Sequence, residues 1–522
     1  MIADALTAER IGLTWLRAAL APSGAFGRAH QDRVAPYEAG DEPRARDEIA
    51  GVLTLAATLD RDGVARVRAA LRAIPDPSPI AARARAGDVL DDVDFHELAR
   101  FADALGALRA AWDAAGGPHD GAPPLANALH EVLAPGRDGG EFYLADAFGA
   151  GLAGARATLV AAESALDARR EEIAARVRDA VGVDPAGDEF VVLRDGYDGA
   201  PPDGVRLVRE TATYRVMTIA VPSPERDRAF ARLAEEEERA RRALSERVAA
   251  CAGEIRSATE ALGALDRALA RVALVQRWGG CLPDLDDDAV AFDDATFAPL
   301  AEAVAARGRR YTPLSLDLRG VAVVTGPNMG GKSAALATTG FLCACVALGV
   351  PPPARRAALL LPRSIAWIGD GERDPRERLL SSYAAEVVRA RDVLASASRR
   401  TLVLVDEFAR TTGPREGRAL LIALCEALAA RGAPALVATH VDGVAEAAGV
   451  RHVRIAGLRG RTLPAAPHGD VDDALDAISA AMDYRIVDAQ NESPESDALA
   501  LARLLRLQTD VVDRAAALFA EL

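Results

Sequence analysis

With 522 residues, half of them hydrophobic, the chain has enough apolar material for two to four domains; aromatics at 4% make the core one of Ala, Leu and Val, with helices dominant. A net charge of −15 and a pI of about 5.1 argue against a dedicated nucleic-acid binder, although an acidic protein can carry a local basic groove. Cys251, Cys281, Cys343, Cys345 and Cys425 lack metal-type spacing and point to free thiols in a reducing cytoplasm; with no basic leader and no apolar run of ~18 residues, neither a signal peptide nor a membrane span is expected.

Residues 1–90 read as a helical N-terminal region broken at Pro22-Ser23-Gly24 and Pro75-Asp76-Pro77-Ser78-Pro79. Residues 91–180 read as a helical core, with one helix running from Asp94 to about Ala115 and another from 150 to 180. Over 181–224 the text changes to three short strands, Phe190–Leu193, Val205–Val208 and Tyr214–Val221, separated by Asp-Gly and Pro-Pro-Asp-Gly turns. Residues 225–283 return to helix, with Glu235–Glu238 set against Arg239, Arg241 and Arg242 as a solvated, ion-paired face. An uninterrupted return run of roughly 50 residues would make an antiparallel arm ~75 Å long with the strands as a β tip. After Pro283 and an acidic linker (Asp284, Asp286, Asp287, Asp288), apolar strands alternate with helices over 290–460, the pattern of a parallel sheet wrapped by helices. Residues 465–522 read as a helical C-terminal region with a polar break at 491–496.

Chemistry is concentrated in 290–460. Gly326-Pro327-Asn328-Met329-Gly330-Gly331-Lys332-Ser333 fits the phosphate-binding loop, preceded by the apolar segment 321–325 and followed by the helix opener that starts at Ala334. Glycines let backbone N–H groups turn inward around an anion, and the helix N-terminus adds positive charge. Lys332 would reach the outer phosphates and Ser333 would ligate Mg²⁺. Lys332 is the only lysine in the chain; a tight cradle wants a compact ammonium where a guanidinium fork is too broad. Thr401–Val405 forms an apolar strand ending in Asp406 and Glu407: the first acid suits the Mg²⁺ shell, the second suits a base that polarises the attacking water. Leu436–Thr439 ends in His440, placed to sense the γ-phosphate or hold that water.

The spellings T-G-P-N-M-G-G-K-S, D-E-F-A-R-T-T (Asp406 to Thr412) and A-T-H (Ala438 to His440) closely resemble the MutS ATPases. Leu380-Ser381-Ser382-Tyr383-Ala384-Ala385-Glu386 is similar to that family's S-T-F-x-x-E signature, which implies that Ser381 and Ser382 reach the nucleotide of a partner subunit. The resemblance also implies that Tyr311 stacks on adenine, that Leu265-Asp266 lies at the lever end, and that 465–522 dimerises. The family usually has glycine where Ala409 and Thr411 stand, so a different turn after Glu407 is expected. The chain also lacks room for the mismatch-reading and connector domains, and no nuclease-type extension is visible.

The expected fold is therefore an α/β P-loop NTPase domain of ABC type preceded by a mostly helical lever region whose long antiparallel arm bears a small β tip. The resemblance implies an ATP hydrolase using ATP and Mg²⁺, dimeric with two composite sites, as a homodimer or a heterodimer. Its nucleotide-binding set is Gly326, Pro327, Asn328, Met329, Gly330, Gly331, Lys332, Ser333, Ala334, Tyr311, Ser381 and Ser382, with Glu407, Lys332 and His440 in the chemistry and Ser333 and Asp406 on the metal. Two clients stay open. One is DNA, clamped without a mismatch reader; the other is an enzyme, as for the MutS-like reactivating ATPase of cobalamin-dependent lysine or ornithine aminomutases. A tip with four arginines against five acids over 189–221 weakens the first. A non-hydrolysing scaffold is disfavoured by the intact acid pair.

Overall fold

The computed structural model describes residues 2–138, 140–185, 187, 189–285, 289–327, 330–369, 382–410, 412–457, 482–489, 499, 502 and 507–521. They fall into two compact units, one made of Met1–Arg72, Ala111–Ala122 and Leu262–Leu522, the other of Ala73–Ala110 and Pro123–Ala261. No helix among the described residues is long and apolar enough to cross a membrane.

Five helices precede residue 73: α1 (Ala5–Arg10), α2 (Leu13–Ala19), α3 (Ala25–Gln31), α4 (Glu42–Thr58) and α5 (Arg61–Arg72). These first 72 residues share a unit with the phosphate-loop region, not with the helices that follow them in the chain. Asp4 caps α1 by accepting from Thr7 N at 2.8 Å.

The second unit holds α6 (Ser78–Ala86), most of α7 (Asp92–Ala114), α8 (Asn127–Leu133), the two-residue pair β1 (Arg137–Asp138) and β2 (Glu141–Phe142), and the arm. The outgoing arm helix is α9 (Leu152–Val181); the tip strands are β3 (Glu189–Leu193), β4 (Val205–Glu210) and β5 (Tyr214–Ile219); the returning helix is α10 (Pro224–Ala250). The helices run antiparallel: Arg156 faces Glu237 at 3.8 Å and Glu163 faces Arg226 at 4.0 Å. The tip is an antiparallel sheet in the order β3-β5-β4. Alternation along β3 puts Phe190 and Val192 inward, onto Met217 and onto Ile173 and Val177 of α9, while Val191 and Leu193 face solvent. Arg194 and Arg215 are taken up in ion pairs with Asp198 and Glu210, all within 3.3 Å.

The long return helix expected over 225–277 is broken. Cys251 N bonds Val248 O at 2.9 Å, a tightened last turn that ends α10, and a second helix, α11 (Ala252–Trp278), starts directly after. The return arm helix is therefore 27 residues, about 40 Å at 1.5 Å per residue rather than ~75 Å.

From Leu262 onward α11 belongs to the first unit, where buried polar groups tie it to the N-terminal helices. Asp266, 1% exposed, accepts from Ser23 N, Ser23 Oγ and Gly24 N at 2.9, 2.7 and 2.7 Å. Glu48 of α4 pairs with Arg267 at 2.7 Å and faces Arg271 at 3.6 Å. Burial pushes the Arg271 guanidinium down to about 10, so it stays charged at neutral pH.

Two sheets follow. The smaller, in the order β6-β10-β7-β8, is built of β6 (Asp284–Leu285), β7 (Ala289–Ala295), β8 (Leu314–Arg319) and β10 (Arg356–Leu359), with α12 (Ala298–Ala305) between β7 and β8. It was not anticipated, although Leu314, Leu316 and Leu318 alternate with exposed residues as a half-buried strand should. The larger sheet contains β9 (Val321–Thr325), β11 (Ser364–Gly369), β12 (Thr401–Asp406), β13 (Ala435–Ala438), β14 (Arg451–Gly457) and β15 (Asp483–Asp488), in the order β11-β12-β13-β9-β14-β15. All its pairings are parallel except β14 with β15. The helices α13 (Lys332–Ala347), α14 (Ser382–Ser396), α15 (Pro414–Ala430) and α16 (Val444–Ala448) connect or flank these strands.

α13 is apolar all round and almost entirely buried, the mark of a helix inside the core. Its two buried threonines satisfy themselves, Thr338 Oγ1 on Ala334 O at 2.7 Å and Thr339 Oγ1 on Ala335 O at 2.8 Å. Gly340 lets the α1–α2 link approach: a Cβ there would stand 2.5 Å from Ile11 Cγ2 and 2.9 Å from Leu404 Cδ1. At the sheet's outer strand, the N-terminal segment supplies acceptors for β11: Ile365 N donates to Ile2 O at 2.7 Å and Trp367 N to Thr7 Oγ1 at 3.1 Å. The C-terminal helix, Thr509–Glu521, exposes Val511, Leu518 and Phe519; the polar break expected at 491–496 lies outside the described residues.

Candidate nucleotide site

Sheet order brings the three motif strands together. β13 lies between β9 and β12, and its register sets Ala438 beside both Val324 and Asp406. Three parallel strands thus end at one level, and the residues just beyond them meet. The backbone stitches the edge: Glu407 N donates to Ala438 O at 3.0 Å and Thr439 N to Val324 O at 3.2 Å.

β9 passes into the loop at Gly326 and Pro327; Asn328 and Met329 lie outside the described residues. Gly330 N donates to Pro327 O at 3.0 Å, and Gly331 caps α13 at φ 95°, a left-handed position that disfavours any side chain. Lys332, 6% exposed, donates from Nζ to Gly326 O and Pro327 O at 3.0 and 3.2 Å. Burial pulls its ammonium below the usual lysine range, opposed by the charges of Glu407 and Asp406.

His440 bridges the lysine and the acid. Its Nε2 lies 2.6 Å from Glu407 Oε1 and 3.1 Å from Lys332 Nζ. An ammonium can only donate, and a ring nitrogen that close to a carboxylate must carry the proton. Nε2–H therefore goes to Glu407, and the lysine protons go to the loop carbonyls. Arg410 holds the other Glu407 oxygen at 3.1 Å.

Ser333 Oγ donates to Asp406 Oδ1 at 3.2 Å. Burial raises the Asp406 carboxyl; the Ser333 hydrogen bond and the charges of Arg10 and Lys332 act the other way. A hydroxyl and a partly buried carboxylate converging at this distance are hard-oxygen donors that fit Mg²⁺, and a cation there would offset the penalty burial places on the ionised acid. No group of three or more His, Cys, Asp or Glu converges among the described residues, so such an ion would draw its remaining ligands from phosphates and water.

Tyr311, which the resemblance assigns to the adenine, lies near the loop. With Leu300, Val304, Gly331 and Ala334 it lines a cleft of about 270 Å³ beside the start of α13. A second aromatic in the lining, Tyr484, was missed: it comes from β15, which reaches the loop only because β15 pairs with β14 and β14 with β9, and no local spacing signals that. Ser381 lies outside the described residues; Ser382 opens α14.

The turn after Glu407 is left-handed at two non-glycine residues, Glu407 at φ 54° and Ala409 at φ 61°. The alanine adopts the conformation glycine would favour, at a penalty of about 1–2 kcal/mol for each such residue. Thr411 lies outside the described residues.

A glycine cradle ending in a helix, a buried ammonium and paired acids at the end of the strand two places along the same sheet define a P-loop nucleoside triphosphatase domain. The family model for MutS domain V, the ATPase domain of MutS-type proteins, matches residues 322–522. "Endonuclease MutS2" of Thermus thermophilus is 35% identical over 296 residues, covering 56% of this chain and 36% of that protein. "DNA mismatch repair protein MutS" of Granulibacter bethesdensis is 35% identical over 233 residues, 42% of this chain and 25% of that protein. "Endonuclease MutS2" of Thermomicrobium roseum is 30% identical over 287 residues, 53% of this chain and 34% of that protein. Over these stretches the chain is similar to MutS-family proteins. It spans about a quarter to a third of the length of these relatives.

Proposed function

We propose that the chain hydrolyses ATP and uses the cycle to close a dimer whose arms hold a client, with DNA as the first candidate. The observation that carries this reading is the meeting of Lys332, Ser333, Asp406, Glu407 and His440 at one sheet edge, with hydrogen-bonded contacts between 2.6 and 3.2 Å. Lys332 and the backbone N–H groups at the start of α13 bind the outer phosphates. Ser333 and Asp406 hold Mg²⁺, which when bound neutralises phosphate charge. Glu407 takes the proton of the attacking water, and His440 holds its carboxylate in place. Ser381 and Ser382 reach across to the nucleotide of a second subunit, and residues 465–522 dimerise. A reducing cytoplasm suits five free cysteines.

The adenine lies between Tyr311 and Tyr484. Stacking on an aromatic is worth about 1–3 kcal/mol per base. Tyr311→Ala and Tyr484→Ala should each raise the ATP KM roughly 5- to 100-fold while kcat changes little. Equal KM values for both variants and the parent chain, from steady-state phosphate release, would move the base elsewhere.

DNA is favoured by the names of the relatives. A protein client, as in the aminomutase-reactivating reading, is favoured by the tip, where Arg194 and Arg215 are neutralised by Asp198 and Glu210. Filter binding of the full chain to duplex DNA, with and without ATP and Mg²⁺, separates them. ATP-dependent retention that weakens steeply with salt is the expected result for a DNA clamp; no retention at physiological salt, alongside normal ATP turnover, assigns the arms to a protein.

A further inference from the structure

We propose that Glu386 of α14 is a positioning residue for Glu407: its buried carboxylate pins the left-handed turn that aims the water-activating acid. The inference rests on Glu407 being that acid. Glu386 is 8% exposed, and its Oε2 accepts the Ala409 N–H at 3.0 Å. Ala409 is the second of the two strained residues, at φ 61°, and Glu407, two residues back, is the first, at φ 54°. Between them Phe408, 6% exposed, packs into the core that includes Val405 and Leu421. On the far side Thr412 closes the turn, its N and Oγ1 donating to Ala409 O at 3.1 and 2.9 Å.

Nothing in an Ala residue prefers this backbone region; glycine would enter it without penalty. The conformation persists because neighbours over-determine it, and the Ala409 N–H is held from outside its own loop by the carboxylate of Glu386. Remove it, and the turn relaxes toward an ordinary φ. The main chain at 407 then rotates, and the Glu407 carboxylate leaves its 2.6 Å contact with His440. The phosphate loop, two strands away in the sheet, is not part of that turn. Chemistry should therefore suffer and ATP affinity should not.

Steady-state ATP turnover and nucleotide binding by the full chain test this. Glu386→Ala is expected to lower kcat roughly 30-fold with KM for ATP within about twofold, the scale of a displaced catalytic group. Adding Ala409→Gly, which lifts the steric penalty on the left-handed turn, should recover at least about fivefold of that loss. Glu386→Gln keeps an oxygen acceptor and should stay within about threefold of the parent. Should Glu386→Ala fail to fold, Glu386→Asp withdraws the acceptor by one methylene and carries the same expectation, with the same rescue. Unchanged kcat in both the Ala and Asp variants overturns the proposal. So does a loss that falls on KM, or one that Ala409→Gly leaves untouched, since a general packing defect would not be cured by a glycine in the turn. Glu407→Gln run in parallel keeps the two ideas apart. If it is slow while the Glu386 variants are normal, only the positioning role is lost; if it turns over normally, the base assignment fails and this inference with it.

Discussion

Lys332→Ala is expected to weaken ATP binding at least roughly 100-fold, about 2.7 kcal/mol, and to bring turnover to background. The ammonium is held by Gly326 O and Pro327 O at 3.0 and 3.2 Å, so it is already aimed at the mouth of the loop and needs little ordering when phosphate arrives. Burial has lowered its pKa while the acids across the site sustain its charge. Truncation leaves the triphosphate without its compact cation and removes the ammonium charge that faces Glu407 and Asp406. Lys332→Arg should fail nearly as badly, because a planar fork cannot occupy a 6% exposed niche built for a point charge. A fluorescent-nucleotide titration together with a phosphate-release assay reads both; parent-level turnover in either variant would remove the lysine from the chemistry.

The second large effect is on Glu407. Glu407→Gln should retain ATP binding within a few-fold and reduce kcat by about 10²- to 10⁴-fold, the usual range for losing a general base. The amide can still meet the His440 ring N–H now donated to Glu407 at 2.6 Å, so the site keeps its shape; it cannot accept a proton from water. With hydrolysis blocked and binding intact, an ATP-closed dimer should accumulate. Size-exclusion chromatography in ATP and Mg²⁺ should show a shift from monomer or open dimer that the parent chain shows only transiently. Normal turnover by this variant would reassign the base.

The site was legible in the sequence to the extent that its parts are local. Strand, glycine turn and helix adjoin in the chain, so the cradle from Gly326 to Ser333 could be read directly. Asp406-Glu407 and His440 each announce themselves as polar residues ending an apolar strand. What could not be read is how those strands are ordered: that β13 separates β9 from β12, and so puts His440 between Lys332 and Glu407, is a property of the sheet. Tyr484 was hidden for the same reason, lying 153 residues past Gly331 yet within van der Waals reach of it, at 3.2 Å from a Cβ built there. The break at Cys251 was hidden by composition, since Val248-Ala249-Ala250-Cys251-Ala252 contains no proline and its only signal is a shifted hydrogen bond. At Ala409 the sequence suggested an altered turn, yet the backbone is left-handed there, with its N–H taken by the distant Glu386 carboxylate.

The way the amino end clasps the outer strand of the large sheet bears on how this protein can be cut. Ile2 and Thr7 answer the amides of Ile365 and Trp367, and Asp4 and Thr7 also receive Arg389, at 2.7 and 3.0 Å. A recombinant fragment trimmed to the nucleotide-site region alone would leave the Ile365 and Trp367 amides of an apolar edge strand without these acceptors, an invitation to edge-to-edge aggregation. The first dozen residues are thus a gasket for a module that begins some 280 residues later, and any expression boundary drawn from motif positions alone would discard it.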